Sequence, residues 1–108
     1  MKSQSTVTPQ TILNLGNGKY HFNYNVTTLE TDEGVMYEYD TVEVNSPTYD
    51  EIVFAIIRDK VSESQELAMM NKYNAYKANI GGDLKSVDEY EGFLRWVQQV
   101  KQLVKSKL

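Results

Sequence analysis

The stretch VMYEYDTVEVNSPTYDEIVFAIIRDKV, residues 35–61, changes its hydrophobic period at Pro47. Before Pro47 the chain alternates. After it, apolar residues recur every three to four positions almost to Leu108. A two-residue period builds strands and a 3.6-residue period builds helices. The chain therefore reads as strands up to about residue 44 and helices from about residue 49.

Working back toward the N-terminus, residues 19–29 carry the plainest strand pattern. Tyr20, Phe22, Tyr24 and Val26 fall on one face, and Lys19, His21, Asn23 and Asn25 on the other. Gly16-Asn17-Gly18 joins this strand to the short apolar run 11–15, and an Asn-Gly pair between two such runs is a hairpin signal. Thr31-Asp32-Glu33-Gly34 makes the next turn, and a strand over 35–44 returns from it. Its phase slips: Val35, Tyr37 and Tyr39 are odd-numbered, whereas Val42 and Val44 are even-numbered. A β-bulge near Asp40-Thr41 would keep the apolar side inward. A strand with both faces partly covered is the alternative. Residues 1–10, polar and broken by Pro9, read as a flexible leader.

Forward from Pro47, three segments open with one signature. Thr48-Tyr-Asp-Glu51, Ser62-Glu-Ser-Gln65 and Ser86-Val-Asp-Glu89 each match the capping box, in which hydroxyl and N3 side chain reciprocally satisfy two backbone amides. Helices are expected over 49–60, 63–79 and 87–106. The first would bury Ile52, Val53, Ile56 and Ile57, with Phe54 and Ala55 widening the apolar arc. The second carries a stripe of Met69, Tyr73, Tyr76 and Ile80, and Gly81-Gly82 ends it. The third carries Tyr90, Phe93, Leu94, Val97, Val100 and Val104, with Trp96 offset from that stripe. The expected architecture is one α+β domain over 11–108: a three-stranded antiparallel β-meander followed by three α-helices packed on one sheet face. Tyr20, Phe22 and Tyr24, with Tyr37 and Tyr39, are the expected partners of the first helix.

Composition narrows the function classes. The 108 residues include no cysteine, which excludes a disulfide framework and a thiolate zinc site. The net charge of −4 is uneven. Residues 1–46 carry six acids against Lys2 and Lys19, whereas residues 87–108 are slightly basic. An acidic sheet half repels phosphate and disfavours nucleic acid as a partner. No apolar run is long enough to span a bilayer, and no apolar segment follows Lys2 as a secretory signal would require. Cytoplasmic synthesis without membrane association is the expectation.

No arrangement of side chains reads as catalytic. His21 is the sole histidine and lies on the polar strand face, without an orienting acid and a nucleophile around it. Glu30, Asp32, Glu33, Glu38 and Asp40 cluster along the second hairpin but fit no calcium loop, so they read as an acidic turn that keeps an edge soluble. Gly16-Asn17-Gly18 lacks the Lys-Ser/Thr of a phosphate loop. No cofactor, metal or catalytic residue is expected. The eight Tyr, three Phe and one Trp are the unusual feature. Tyr37 and Tyr39 on the sheet and Trp96 on the third helix are the candidate partner or ligand surface, since aromatic faces anchor protein interfaces and stack on sugars.

Residues 47–61, with Ser62, Glu66-Leu67-Ala68, Glu89-Tyr90-Glu91, Phe93-Leu94-Arg95-Trp96 and Val100-Lys101, form a pattern that resembles the helical tail of small uncharacterised phage- and prophage-encoded proteins. Such proteins are often encoded beside tail or other structural genes. The resemblance extends loosely to Leu15-Gly16-Asn17-Gly18. It implies a virion-associated, assembly or accessory role in a bacterium. The expectation is a non-enzymatic protein-interaction protein, cytoplasmic or virion-associated. A small-ligand, carbohydrate-binding module using the Tyr-rich sheet is the alternative.

Overall fold

The computed structural model describes residues 1–108. Four strands come first: β1 (Lys2–Ser5), β2 (Ile12–Asn14), β3 (Tyr20–Thr31) and β4 (Gly34–Val44). Three helices follow: α1 (Tyr49–Lys60), α2 (Glu63–Lys77) and α3 (Leu84–Lys107). The fold is α+β, and the period switch at Pro47 marks the junction. The sheet is antiparallel throughout, in the order β1-β4-β3-β2.

The sheet has one strand more than expected, and the extra strand lies inside the segment read as a leader. Lys2–Ser5 pairs with β4, Lys2 opposite Asp40 and Ser5 opposite Tyr37. Its sequence has no apolar alternation because an edge strand with little to bury needs none. Polar contacts hold it instead. Lys2 Nζ lies 3.2 Å from an Asp40 oxygen, and the Met1 amino group donates to the Thr41 carbonyl and the Asp59 carboxylate. Because β1 and β2 occupy opposite edges, the link between them crosses the sheet on the side away from the helices. There the Asn23 amide donates to the Gln10 carbonyl, and the Thr41 hydroxyl donates to Asn23 Oδ1. Asn23 and Thr41 are buried under this link.

The phase slip is real but sits on the other strand. Tyr20, Phe22 and Tyr24 pair with Val44, Val42 and Asp40, and the register then breaks between Tyr24 and Thr27. Asn25 takes a left-handed φ of 52° there, a conformation that Asn tolerates better than most residues. The strand β4 runs through unbroken. Asp40, Val42 and Val44 therefore face the helices, while Tyr37 and Tyr39 face away. They are not partners of α1, and the alternative of a strand covered in part on both faces describes β4.

The core is small: Phe22, Tyr24, Val42 and Val44 from the sheet, Ile52, Val53 and Ile56 from α1, and Val100 and Val104 from α3. The α1 stripe is as expected, but Phe54 is 54% exposed and lies beneath the Arg58 guanidinium at 5.2 Å. Just two helices cover the sheet. The helix α2 buries no residue and lies against α3, where Tyr73 meets Tyr90 at 5.0 Å between ring centroids.

One of the three capping boxes forms. Ser62 and Gln65 exchange both bonds. Thr48 is the N-cap of α1 but makes no side-chain cap bond, and the Glu51 carboxylate accepts from the Ser46 amide. The helix α3 starts three residues earlier than expected. Asp83 is its N-cap and accepts from both the amide and the hydroxyl of Ser86, bonds that hold its carboxyl below the usual carboxylate range. The turn before it depends on Gly82, whose φ is +72° and whose missing Cβ would stand 2.7 Å from the Lys72 carbonyl oxygen. Gly82→Ala is expected to cost about 1–3 kcal/mol through strain at a left-handed position. It should lower the urea midpoint accordingly, whereas Gly92→Ala, inside α3 with open space around it, should raise the midpoint through roughly 0.5–1 kcal/mol of helix propensity.

Candidate functional site

The hairpin β3–β4 is longer than the helical layer that covers it. Every residue from Asn25 to Val35 is exposed. Beyond the bulge the two strands continue for five cross-strand pairs, Thr27–Glu38 to Thr31–Gly34, with β1 beside only the first two. That is about 17 Å at the usual rise per residue. The molecule measures 57 Å along its longest axis. Leu29 lies on the helix side of the ribbon and Val35 on the other, 39% and 50% exposed. The edges are free beyond the points where β1 and β2 stop. Glu30, Asp32 and Glu33 occupy the tip, so the acidic cluster divides: three carboxylates stand in solvent, while Glu38 and Asp40 face Lys2.

Where the arm leaves the helices, a cleft of about 230 Å³ opens between β3, β4, α1 and α3. Tyr24, Asn25 and Asp40 form the sheet wall, Ile56 and Lys60 come from α1, and Trp96, Gln99 and Leu103 from α3. Trp96 is half-buried and packs on the rim of the core, 6.1 Å from Phe93. Its offset from the main stripe of α3 is what places it here. A larger depression of about 500 Å³ beside Glu43, Asp50 and Phe54 lies on the opposite flank of α1 and holds no buried unpaired group.

Two groups in the cleft have altered acidity. Burial works against the Asp40 carboxylate, but hydrogen bonds from Asn25 and Lys2 and the charges of Lys2 and Lys60 outweigh it, so its pKa lies below the ordinary value. Tyr24 is pushed up to about 12 by burial and by the carboxylates of Asp40 and Asp59. Its hydroxyl is sealed from solvent and has no hydrogen-bond partner among the protein's own groups.

The sign of the pH dependence follows. The folded state holds Asp40 ionised, so the Asp40 contribution is fully present above the unfolded carboxyl pKa and is lost as pH falls through the lower folded value. The folded state holds Tyr24 protonated, so stability falls between about pH 10 and 12. Urea midpoints of the wild type should drop below about pH 4. Those of Asp40→Asn should drop less over the same acid range.

Of the three aromatic residues singled out from sequence, Trp96 joins this cleft. Tyr37 and Tyr39 stand two residues apart on the opposite face, beside Ser5 and Ser3 of β1. His21 lies on that same face near Glu43. The cleft residues Tyr24, Asn25, Lys60 and Gln99 were not singled out. One signal was available: Asp40 shares the phase of Val42 and Val44, which puts a carboxylate on the apolar face. No protein-family model, curated protein or solved structure matches the chain, and no helix is long and apolar enough to cross a membrane.

Proposed function

We propose that the chain is a non-enzymatic protein-interaction module that docks a protein partner through the hairpin arm. The observation that carries this reading is the exposed ribbon beyond Tyr24, two-stranded from Leu29–Met36 to its tip. A two-stranded hairpin is marginal in water on its own, and this one leaves Leu29 and Val35 uncovered on its two faces. Free edges suit strand addition by a partner. No Lys or Arg occurs between Lys19 and Arg58, so the arm presents a single sign of charge and fits a basic partner surface. The narrower reading, an assembly or accessory role in a phage or prophage, is supported by the sequence resemblance alone.

The test compares the wild type with Leu29→Lys/Val35→Lys as baits in a bacterial lysate. A partner bound by the first and lost by the second, with both baits melting alike, is the expected result. A partner retained by the arm variant, or turnover by the purified protein across a hydrolase and transferase panel, would overturn the reading. A carbohydrate ligand on the opposite sheet face is the second reading, favoured by Tyr37 and Tyr39 standing side by side on a helix-free surface. Loss of glycan binding in Tyr37→Ser would support it.

A further inference from the structure

We propose that Asn17 is a self-modifying site, which the chain converts to aspartate and isoaspartate through the neighbouring Gly18 amide, with water as the sole co-reactant. The site lies in the turn between β2 and β3. It is separate from the arm, the cleft and the Tyr37–Tyr39 face, and rests on no reading of them.

The chemistry needs three conditions in one place. A side-chain amide must be free to move, the next backbone nitrogen must be free to attack it, and the ring they form needs room. Asn17 and Gly18 meet all three. Both are exposed and lie outside the strands. The bonds that shape the turn go elsewhere: the Leu15 amide donates to the Lys19 carbonyl, and the Gly16 amide to Asn14 Oδ1. Neither the Asn17 side chain nor the Gly18 amide takes part in a hydrogen bond. Gly18 has open space around it and a φ of +79°, which glycine adopts at no steric cost. With no Cβ beside it, the attacking nitrogen is uncrowded.

The other asparagines fail at least one condition. After Asn14 the Leu15 amide is bonded to Lys19, and after Asn79 the Ile80 amide is bonded to the Ala75 carbonyl. After Asn45 the Ser46 amide is held by the Glu51 carboxylate. Asn23 is buried, with its own amide on the Gln10 carbonyl. Asn71 and Asn74 lie inside α2, where the amides that follow them belong to the helix ladder. Asn25 is the nearest rival, but its side chain donates to Asp40 and the stiff, β-branched Val26 follows it.

In the first step the Gly18 nitrogen bonds to Asn17 Cγ and the Cγ–Nδ2 bond breaks. Ammonia leaves, carrying the proton that the Gly18 nitrogen gave up, and a succinimide ring remains. Water then opens the ring. Addition at Cγ gives aspartate, and addition at the main-chain carbonyl gives isoaspartate, in which the chain runs through Cγ. The sum is one water consumed and one ammonia released, with no oxidation or reduction. Either product adds a negative charge to the turn. Isoaspartate also inserts a methylene into the main chain between Leu15 and Lys19, whose bond closes the turn.

The experiment incubates the folded full chain in mildly alkaline buffer made with heavy-oxygen water and maps its peptides by mass spectrometry. A protein isoaspartate methyltransferase with S-adenosylmethionine is the probe for isoaspartate. Heavy oxygen should enter at residue 17 before any other asparagine, and methyl groups should go to the same peptide. A more acidic species should grow on anion exchange, faster at higher pH, because the attacking nitrogen must lose its proton. Gly18→Ala should slow the change about ten-fold or more, as a rise of about 1.4 kcal/mol in the barrier would. Asn17→Gln, whose longer side chain must close a larger ring, should stay unmodified with its melting temperature unchanged. Unfolding in urea should bring other asparagines to react while altering the rate at Asn17 little. An Asn17 that stays intact in the folded chain and reacts once urea unfolds it would overturn the proposal, since the turn would then protect the residue. Modification of Asn25 at an equal rate, or an undiminished rate in Gly18→Ala, would overturn it as well.

Discussion

Ile56→Asp is expected to abolish the cooperative unfolding transition. Ile56 is 1% exposed and sits where α1 meets both the sheet and α3. An aspartate there has no cation within the core to pair with, so it must be buried charged or neutralised at the cost of a large pKa shift. Either route costs more than about 4 kcal/mol. The whole domain is worth roughly 5–15 kcal/mol by its length, and a core of nine buried apolar residues argues for the lower half of that range. Circular dichroism should show a melt without a sigmoid. Asp at the exposed neighbour Phe54 serves as the control and should leave the transition in place. An unchanged melting curve for Ile56→Asp would mean that the α1 face is wrongly assigned.

The second large effect is Phe22→Ala. Phe22 is fully buried, pairs across the strands with Val42 and Ile12, and stacks on Tyr24 at 5.8 Å. Truncation removes the ring and leaves a cavity at the centre of the sheet, beneath α1 and α3. Losses of this kind run to about 3–5 kcal/mol, a fall in melting temperature of more than about 10 °C for a domain of this size. Phe22→Leu should recover most of it. The dependence of unfolding free energy on urea should keep its slope, because the surface exposed on unfolding is nearly the same.

The architecture was legible because it rests on periodicity. Helix α1 has its expected bounds, and β3 and β4 match to within two residues, since each buries one regular face. What was not legible depends on partners distant in sequence. Nothing in Lys2-Ser3-Gln4-Ser5 announces a strand until Glu38 and Asp40 stand opposite it. The slip in phase was visible, but strand pairing decides which strand bulges, and Asn25 took the extra residue in place of Asp40 or Thr41. Tyr37 and Tyr39 could be mistaken for core because tyrosine has an apolar body and a polar tip. The cleft was the least legible feature: it brings together residues from positions 24 to 103, and one of its marks, the unpaired Tyr24 hydroxyl, exists solely in three dimensions.

The strand order also sets a timetable. The strand β1 is made well before its partner β4, and has nothing to pair with until β4 has emerged, whereas β2 needs only β3, the next strand along. The strand β1 is thus made well before it can settle, and the link from it to β2 must close over a sheet already in place. Pairings so distant in sequence are slow to form. Until this one does, the β4 edge of the long hairpin stays open, and that interval, more than the finished fold, is when the chain is most exposed to pairing with another copy of itself.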